Sequence, residues 1–324
     1  MGSISKVLIG AVTIGLDPHP GSHTASAVDH SRGFLDELTV ENSEEAYEEL
    51  MRWAKRYRKR RWAIEGPGNR YVRDIVEKML VAGETVYAIT PSMTSQYRSK
   101  RTRGKDDEID ATNAARALLA NEDLPEYEPM PYEAEMKELS RSYKRLSDQL
   151  KATKMSTKQV ASTEIRKPLE KVIATLESAV AELEAKMRKI VRTLAPELLC
   201  ERGVGTIVCS TVLAEAGRIT RFPNESHFAS YCGAAPIRWQ SGAHEQMRVN
   251  PGGNRRLNWA AHIVALTRLR HDPRTQAYRD KKLAEGKTQR EVLRLLKTHI
   301  CRDFYRILKK IQTVSPLQVA ETTS

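Results

Sequence analysis

RTRGKDDEIDATNAAR, residues 101–116, sets the reading of the rest of the chain. A basic run stops at Lys105 and three carboxylates follow in succession, Asp106, Asp107 and Glu108. Ala111, Ala114, Ala115, Ala117, Leu118 and Leu119 are good helix formers, so the acids fall on the first turns of a helix. Asp107 and Asp110 then stand at i and i+3, with β-carbons about 5–6 Å apart on one face. Two carboxylates so placed can share a hard, oxygen-preferring divalent cation. On this stretch alone the reading competes with a plainer one, in which acids at a helix start cap orphan amides and complement the dipole.

Upstream, residues 7–16, VLIGAVTIGL, form a continuous apolar run that ends at Asp17 and the breaker-rich PHPGSH. Such a run reads as a buried central strand presenting an acid at its end. Two more strands are expected at residues 24–28 and 33–40. Asn42 then opens an amphipathic helix with Ala46, Leu50, Trp53, Ala54 and Tyr57 on its apolar face. Trp62, Ala63, Ile64 and Glu65 make a short strand that again ends in an acid, before Gly66-Pro67-Gly68. A helix at residues 71–81, burying Val72, Ile75, Val76, Met79 and Leu80, and a strand at 85–89 complete a partly parallel sheet flanked by helices. Asp17 and Glu65 leave the sheet, Asp107 and Asp110 leave the helix against it, and four acids can converge. His19 and His23 are not read as metal ligands, since a loop or strand-edge histidine is more often unliganded.

Downstream, residues 124–131, LPEYEPMP, carry three prolines and mark a linker. Met136, Leu139, Tyr143, Leu146 and Leu150 then follow alternating three- and four-residue steps. The rhythm returns at Ile165, Leu169, Val172 and Leu176, and at Val180, Leu183, Met187, Ile190 and Leu194. This is coiled-coil spacing, broken by the polar residues 152–163 and by Pro168, where a second helix could start. The stalk either folds on itself or joins two protomers. Beyond Pro196, Gly203-Val204-Gly205 before a helix at 207–216 resembles a helix-hairpin-helix, whose glycines and helix N-terminus suit a phosphate. A basic, glycine-rich loop follows at residues 248–256, RVNPGGNRR, and the tail is helical at 257–270 and 288–311.

The chain therefore reads as α/β plus all-α: an α/β domain at 1–124, a linker and helical coiled-coil stalk at 125–196, and a mainly helical domain at 197–324. Among 324 residues, 53 Lys and Arg outnumber 41 Asp and Glu, for a formal charge of +12. The basic residues cluster, as at Arg58, Lys59, Arg60 and Arg61, which favours a nucleic-acid partner. Cys200, Cys209, Cys232 and Cys301 lie too far apart for a zinc or disulfide framework. With no signal peptide and no apolar run near the roughly 18 residues of a membrane span, a cytoplasmic protein is expected.

Taken together, the motifs resemble the DEDD transposase family of insertion sequences, which includes pilin-gene invertases and bridge-RNA-guided recombinases. The resemblance rests on GLDPH at 15–19, AIEG at 63–66 and KDDEIDA at 105–111. It continues in GVGTIVCSTVLAEAG at 203–217, RFPNESHFASYCGAAP at 221–236, QSG at 240–242 and GGNRRL at 252–257. It implies an RNase H/RuvC-like N-terminal domain whose four acids are Asp17, Glu65, Asp107 and Asp110, with Asp106 an understudy. HPGSH departs from the family's more usual His-Lys segment after the first acid.

The resemblance also implies a C-terminal domain whose serine is Ser241. The four acids would bind Mg²⁺ or Mn²⁺, and Ser241 would attack the DNA phosphodiester. Partners would be donor and target DNA, a structured guide RNA, and further copies of the chain as a dimer, or a tetramer in the synaptic complex, away from any membrane. Nucleic-acid contacts are expected from Arg98, Lys100, Arg101, Arg103 and Lys105 beside the acids, and from Arg248, Asn254, Arg255 and Arg256. Two rival readings remain: a metal-dependent Holliday-junction-type nuclease that activates water, and a non-catalytic nucleic-acid-binding protein.

Overall fold

The computed structural model describes residues 11–94, 107–241, 244–249 and 252–314. They divide into two compact units at the Glu128–Pro129 boundary. The first is built on a five-stranded sheet formed by β1 (Val12–Pro18), β2 (Ser22–Val28), β3 (Phe34–Glu41), β4 (Arg60–Glu65) and β5 (Val86–Ile89). Its order is β3-β2-β1-β4-β5, with β1, β2 and β3 antiparallel and β1, β4 and β5 parallel. That is the order and direction of an RNase H-type sheet, as the resemblance implied.

Strand alternation gives the sheet two working faces. Ile14, Leu16, Ala25, Ala27, Trp62, Ile64 and Val86 pack against α1 (Ala46–Ala54) and α2 (Arg73–Val81), burying Leu50, Trp53, Ile75, Val76 and Met79. On the opposite face Ala63 and Ile89 meet Ala114, Ala117 and Leu118 of α4 (Asp107–Leu119), which follows the short α3 (Pro91–Thr94). The turn after Asp17 is tighter than PHPGSH suggested. His19 N–H donates to the Ser22 carbonyl at 2.9 Å, so Pro18 already pairs with His23 and both strands extend past the acid. Asn42 does not open α1. Its side chain is engaged by His23 Nε2 at 3.1 Å and by the Pro20 carbonyl at 3.0 Å, and the helix starts at Ala46.

In the second unit α5 (Glu133–Lys158) and α6 (Thr163–Leu194) are joined by four residues and fold back as an antiparallel hairpin. Lys154 Nζ meets Glu177 at 2.6 Å across it. The break expected over 152–163 shrinks to residues 159–162. Thr153 and Thr157 donate their hydroxyls back to the Gln149 and Thr153 carbonyls, which occupies polar groups that could have competed with the helix. Pro168 lies inside α6, five residues past its start. Its missing N–H leaves the Glu164 carbonyl without the usual partner near a helix end, where the loss is least disruptive.

The base of this hairpin packs into the core of the helices beyond it. Met136 and Val191 join Val208, Val212 and Leu213 of α8 (Thr206–Ala216), which is buried along most of its length. α7 (Pro196–Cys200) and α10 (Arg255–His271) also pack on α8, and α12 (Gln289–Val314) packs on α7, α10 and α9 (Glu225–Tyr231). The Gly203 turn between α7 and α8 lies against Val264 and Thr267 of α10. A helix absent from the sequence reading, α11 (Pro273–Ala284), is capped by Asp272, whose carboxylate accepts from Thr275 N–H at 3.2 Å, with Pro273 at its first position. β6 (Pro236–Ser241) and β7 (His244–Val249) pair antiparallel as a two-stranded β-hairpin.

Candidate functional site

The register of the parallel strands decides how the acids relate. Gly15 on β1 is opposite Ala63 on β4, and both belong to the face covered by α4. Two residues further along each strand, on the same face, stand Asp17 and Glu65. Asp17 is paired with Thr24 of β2, and Glu65 with Ile89 of β5, so the two carboxylates occupy neighbouring strands at one end of the sheet. Asp17 is buried, and its Oδ2 receives His19 Nε2 at 3.1 Å. His19 braces the acid.

Helix α4 brings Asp110 to this face. A β-carbon on Gly15 would collide with the Ala111 carbonyl and lie 2.8 Å from the Ala115 nitrogen, so helix and strand meet backbone to backbone next to Asp110. A hydrogen bond between Ser26 and Thr112 hydroxyls, 2.7 Å and buried, fixes the helix on β2 as well. Asp107 begins α4; its side chain lies outside the described residues, as do Arg98, Lys100, Arg101, Arg103, Lys105 and Asp106. Among the described residues no three His, Cys, Asp or Glu side chains gather closely enough to hold a metal ion. What the donor set offers is carboxylate oxygen alone, which suits a hard cation such as Mg²⁺.

In the second unit Ser241 ends β6 and pairs with His244 at the hairpin tip. Gln240 and Gly242 on either side of it suggest a flexible loop, yet Ile237, Trp239 and Val249 give the flanking residues the β-forming character that favours strands. The side chains of Ser241 and Arg248 lie outside the described residues. Arg255 is exposed at the start of α10. Asn254 caps that helix, accepting from Arg256 N–H and Leu257 N–H, each at 3.0 Å, and its amide donates to Glu215 Oε2 at 2.8 Å. Arg256 lies 2.9 Å from Glu215 Oε1 and donates to the Ser140 hydroxyl of α5, and burial lowers its pKa. Asn254 and Arg256 thus knit α5, α8 and α10 together, a role that a basic loop in the sequence did not announce.

Two family profiles match the chain in order. A DEDD-type IS110 transposase profile covers residues 14–163, and the profile described as "Transposase IS116/IS110/IS902 family" covers residues 197–280. The chain belongs to the IS110-type transposase family. The first match contains Asp17, Glu65, Asp107 and Asp110, and the second contains Ser241 and the Asn254 cap.

A relative of this family member in Streptomyces coelicolor, "Insertion element IS110 uncharacterized 43.6 kDa protein", is 35% identical over 114 residues. That match takes in 34% of this chain and 28% of the relative's length. Two solved structures are also similar over the N-terminal part: "T. thermophilus RuvC in complex with Holliday junction substrate" and "Thermus thermophilus RuvC structure". Each is 16% identical with a TM-score of 0.29. They cover 34% and 36% of this chain and 94% and 98% of their own.

Proposed function

We propose that this chain is a DNA recombinase that mobilises an insertion sequence by cutting and rejoining DNA strands. The observation that carries the reading is the common face and common sheet end of Asp17 and Glu65, with α4, the helix of Asp110, packed on that face through Ala111 and Ala115, in a chain of the IS110-type family. Asp17, Glu65, Asp107 and Asp110 would hold a divalent cation, Mg²⁺ or Mn²⁺, which when bound supplies a positive charge against the phosphate under attack. His19 keeps the Asp17 carboxylate turned to one side by donating to Oδ2.

Ser241 Oγ is the nucleophile. It forms a bond to phosphorus as the phosphorus bond to the deoxyribose oxygen breaks, and the serine proton ends on the departing sugar hydroxyl. The reverse step, with the hydroxyl of a different strand, restores Ser241 and completes an exchange without spending a high-energy cofactor. Its position at the end of β6, paired with His244 of β7, supports this role. The charge of +12 supports contact with nucleic-acid backbone, and a structured guide RNA would choose the DNA sites while further copies of the chain complete the assembly.

The test is a nicked DNA substrate from the element's end, incubated with purified protein and its co-purifying RNA and resolved on a denaturing gel. A protein–DNA adduct that disappears in Ser241→Ala is the expected result. Cleavage without an adduct, unchanged in Ser241→Ala, would establish the water-activating nuclease instead.

A further inference from the structure

The roots of the β6–β7 hairpin are held by side chains from two helices that contribute nothing to the hairpin itself. Three successive carbonyls just before β6 are each met by such a donor. The Asn258 amide of α10 donates to the Cys232 carbonyl at 3.1 Å and to the Gly233 carbonyl at 2.9 Å. The Thr298 hydroxyl of α12 donates to the Ala234 carbonyl at 2.8 Å. Lys297, one residue earlier, places its ammonium 2.7 Å from Asn258 Oδ1. Since an ammonium only donates, it fixes which end of the Asn258 amide is oxygen, and so aims the NH₂ group at the two carbonyls.

The returning strand is tied to the same point. Asn254 N–H donates to the Tyr231 carbonyl at 2.7 Å. Gly253 lies directly on the Gly233 backbone, where any β-carbon would overlap it. The GGN and GAAP motifs therefore meet each other at the base of the hairpin. Backbone carbonyls outside secondary structure are often left to water; here consecutive ones are saturated by designated side chains, and a lysine partly withdrawn from water, its pKa lowered by burial, serves the same group.

We propose that Asn258, Lys297 and Thr298, closing around the Gly233–Gly253 contact, form a clamp that positions the β6–β7 hairpin and thereby Ser241. They are positioning residues: they act on the backbone that carries Ser241, and α10 and α12 transmit their own packing to the hairpin through it. The clamp rests on the reading of Ser241 as nucleophile for its catalytic consequence, and on the hydrogen bonds alone for its mechanical one.

Hydrogen exchange of the amides in residues 236–241 and 244–249 tests the mechanical part in the full-length protein. Asn258→Ala is expected to speed exchange there by roughly tenfold, the scale of one or two lost hydrogen bonds, while exchange in the first unit is unchanged. Thr298→Val, which deletes a single hydroxyl, gives the same effect more weakly, and Thr298→Ser restores the wild-type rate. Recombination between a donor plasmid carrying the element and its target is expected to fall by about 10²-fold in Asn258→Ala, as for a misplaced reacting group, to fall less in Thr298→Val and to stay at the wild-type level in Thr298→Ser, with nucleic-acid affinity within about twofold of wild type throughout.

Unchanged hairpin exchange in both Asn258→Ala and Thr298→Val would overturn the clamp. Faster hairpin exchange with full recombination would overturn its catalytic consequence. Full recombination by Ser241→Ala in the same assay would instead remove the serine reading, a result independent of the exchange rates.

Discussion

Gly15 on β1 lies so close to the Ala111 carbonyl on α4 that no β-carbon fits between them. The contact fixes how far Asp110 stands from the strand that carries Asp17. Gly15→Ala should therefore force the helix outward. Overpacking of this kind costs about 1–3 kcal/mol, measurable as a lower urea midpoint with an unchanged slope. Because the displaced element carries Asp107 and Asp110, recombination should fall further than the stability loss alone explains.

Asp107→Asn tests the acidic group without changing side-chain volume. If the four carboxylates hold a cation, recombination should drop by about 10²-fold or more, in line with the loss of one preorganised electrostatic partner. Nucleic-acid binding should remain. A Mg²⁺ titration checks this: wild type should show a saturable change in activity that Asp107→Asn shifts to higher concentration. A titration curve identical in both proteins would make Asp107 a helix-start residue and nothing more.

The Ser26–Thr112 bond offers a milder probe of the same packing. Thr112→Val leaves the Ser26 hydroxyl buried without its partner, at a cost of about 1–3 kcal/mol. The double variant with Ser26→Ala removes both hydroxyls and should recover part of that loss, as a double-mutant cycle on thermal unfolding would show.

These contacts mark where sequence reading worked and where it stopped. The apolar run into Asp17, the Trp62-to-Glu65 strand and the alanine-rich helix after Asp107 are local patterns, and the structure gives β1, β4 and α4 there. The shared face of Asp17 and Glu65 follows once the strands are parallel, since alternation does the rest. The identity of the neighbours was not legible. His19 reaching Asp17, Ser26 reaching Thr112 and Arg256 reaching Glu215 and Ser140 join positions whose pairing is set by tertiary packing.

Two misses had local signals. Asp272-Pro273 is a helix start, and Asn254 before Arg255 is a cap. The basic character of the RVNPGGNRR stretch drew attention to charge and away from capping. The helical run through residues 152–158 was harder to read, because serine and threonine there bond back to their own helix in place of breaking it.

His23 provides a prediction about pH. It is fully buried on β2, its Nε2 is paired with Asn42 Oδ1, and its Nδ1 has no hydrogen-bond partner among the described residues. Burial lowers its pKa below the ordinary value of 6.5, against a smaller opposing effect of the Asn42 bond. The unfolded chain thus takes up a proton at a higher pH than the folded one. The associated stability is fully present above about pH 6.5. It is lost as pH falls below that value towards the depressed pKa of the folded state. Thermal unfolding between pH 7.5 and 5 should show a falling midpoint, and His23→Gln, which keeps a donor for Asn42 and cannot titrate, should flatten that fall. An equal fall in both proteins would assign the pH dependence to other groups.

The four thiols should separate cleanly by reactivity. Only the thiolate attacks an alkylating reagent, and desolvation raises the Cys209 pKa to about 12 and pushes Cys232 well above the ordinary range. Cys209, Cys232 and Cys301 are buried in the core of the second unit, whereas Cys200 is exposed at the end of α7. Iodoacetamide at pH 8 should therefore modify Cys200 alone in the native protein, with mass spectrometry locating the adduct, and should reach the other three only after denaturation. Cys232 lies next to Gly233, so its labelling in a clamp variant such as Asn258→Ala, but not in wild type, would report that the root of the β6–β7 hairpin has opened. Equal protection of Cys232 in both would mean that the surrounding helices hold the root without Asn258.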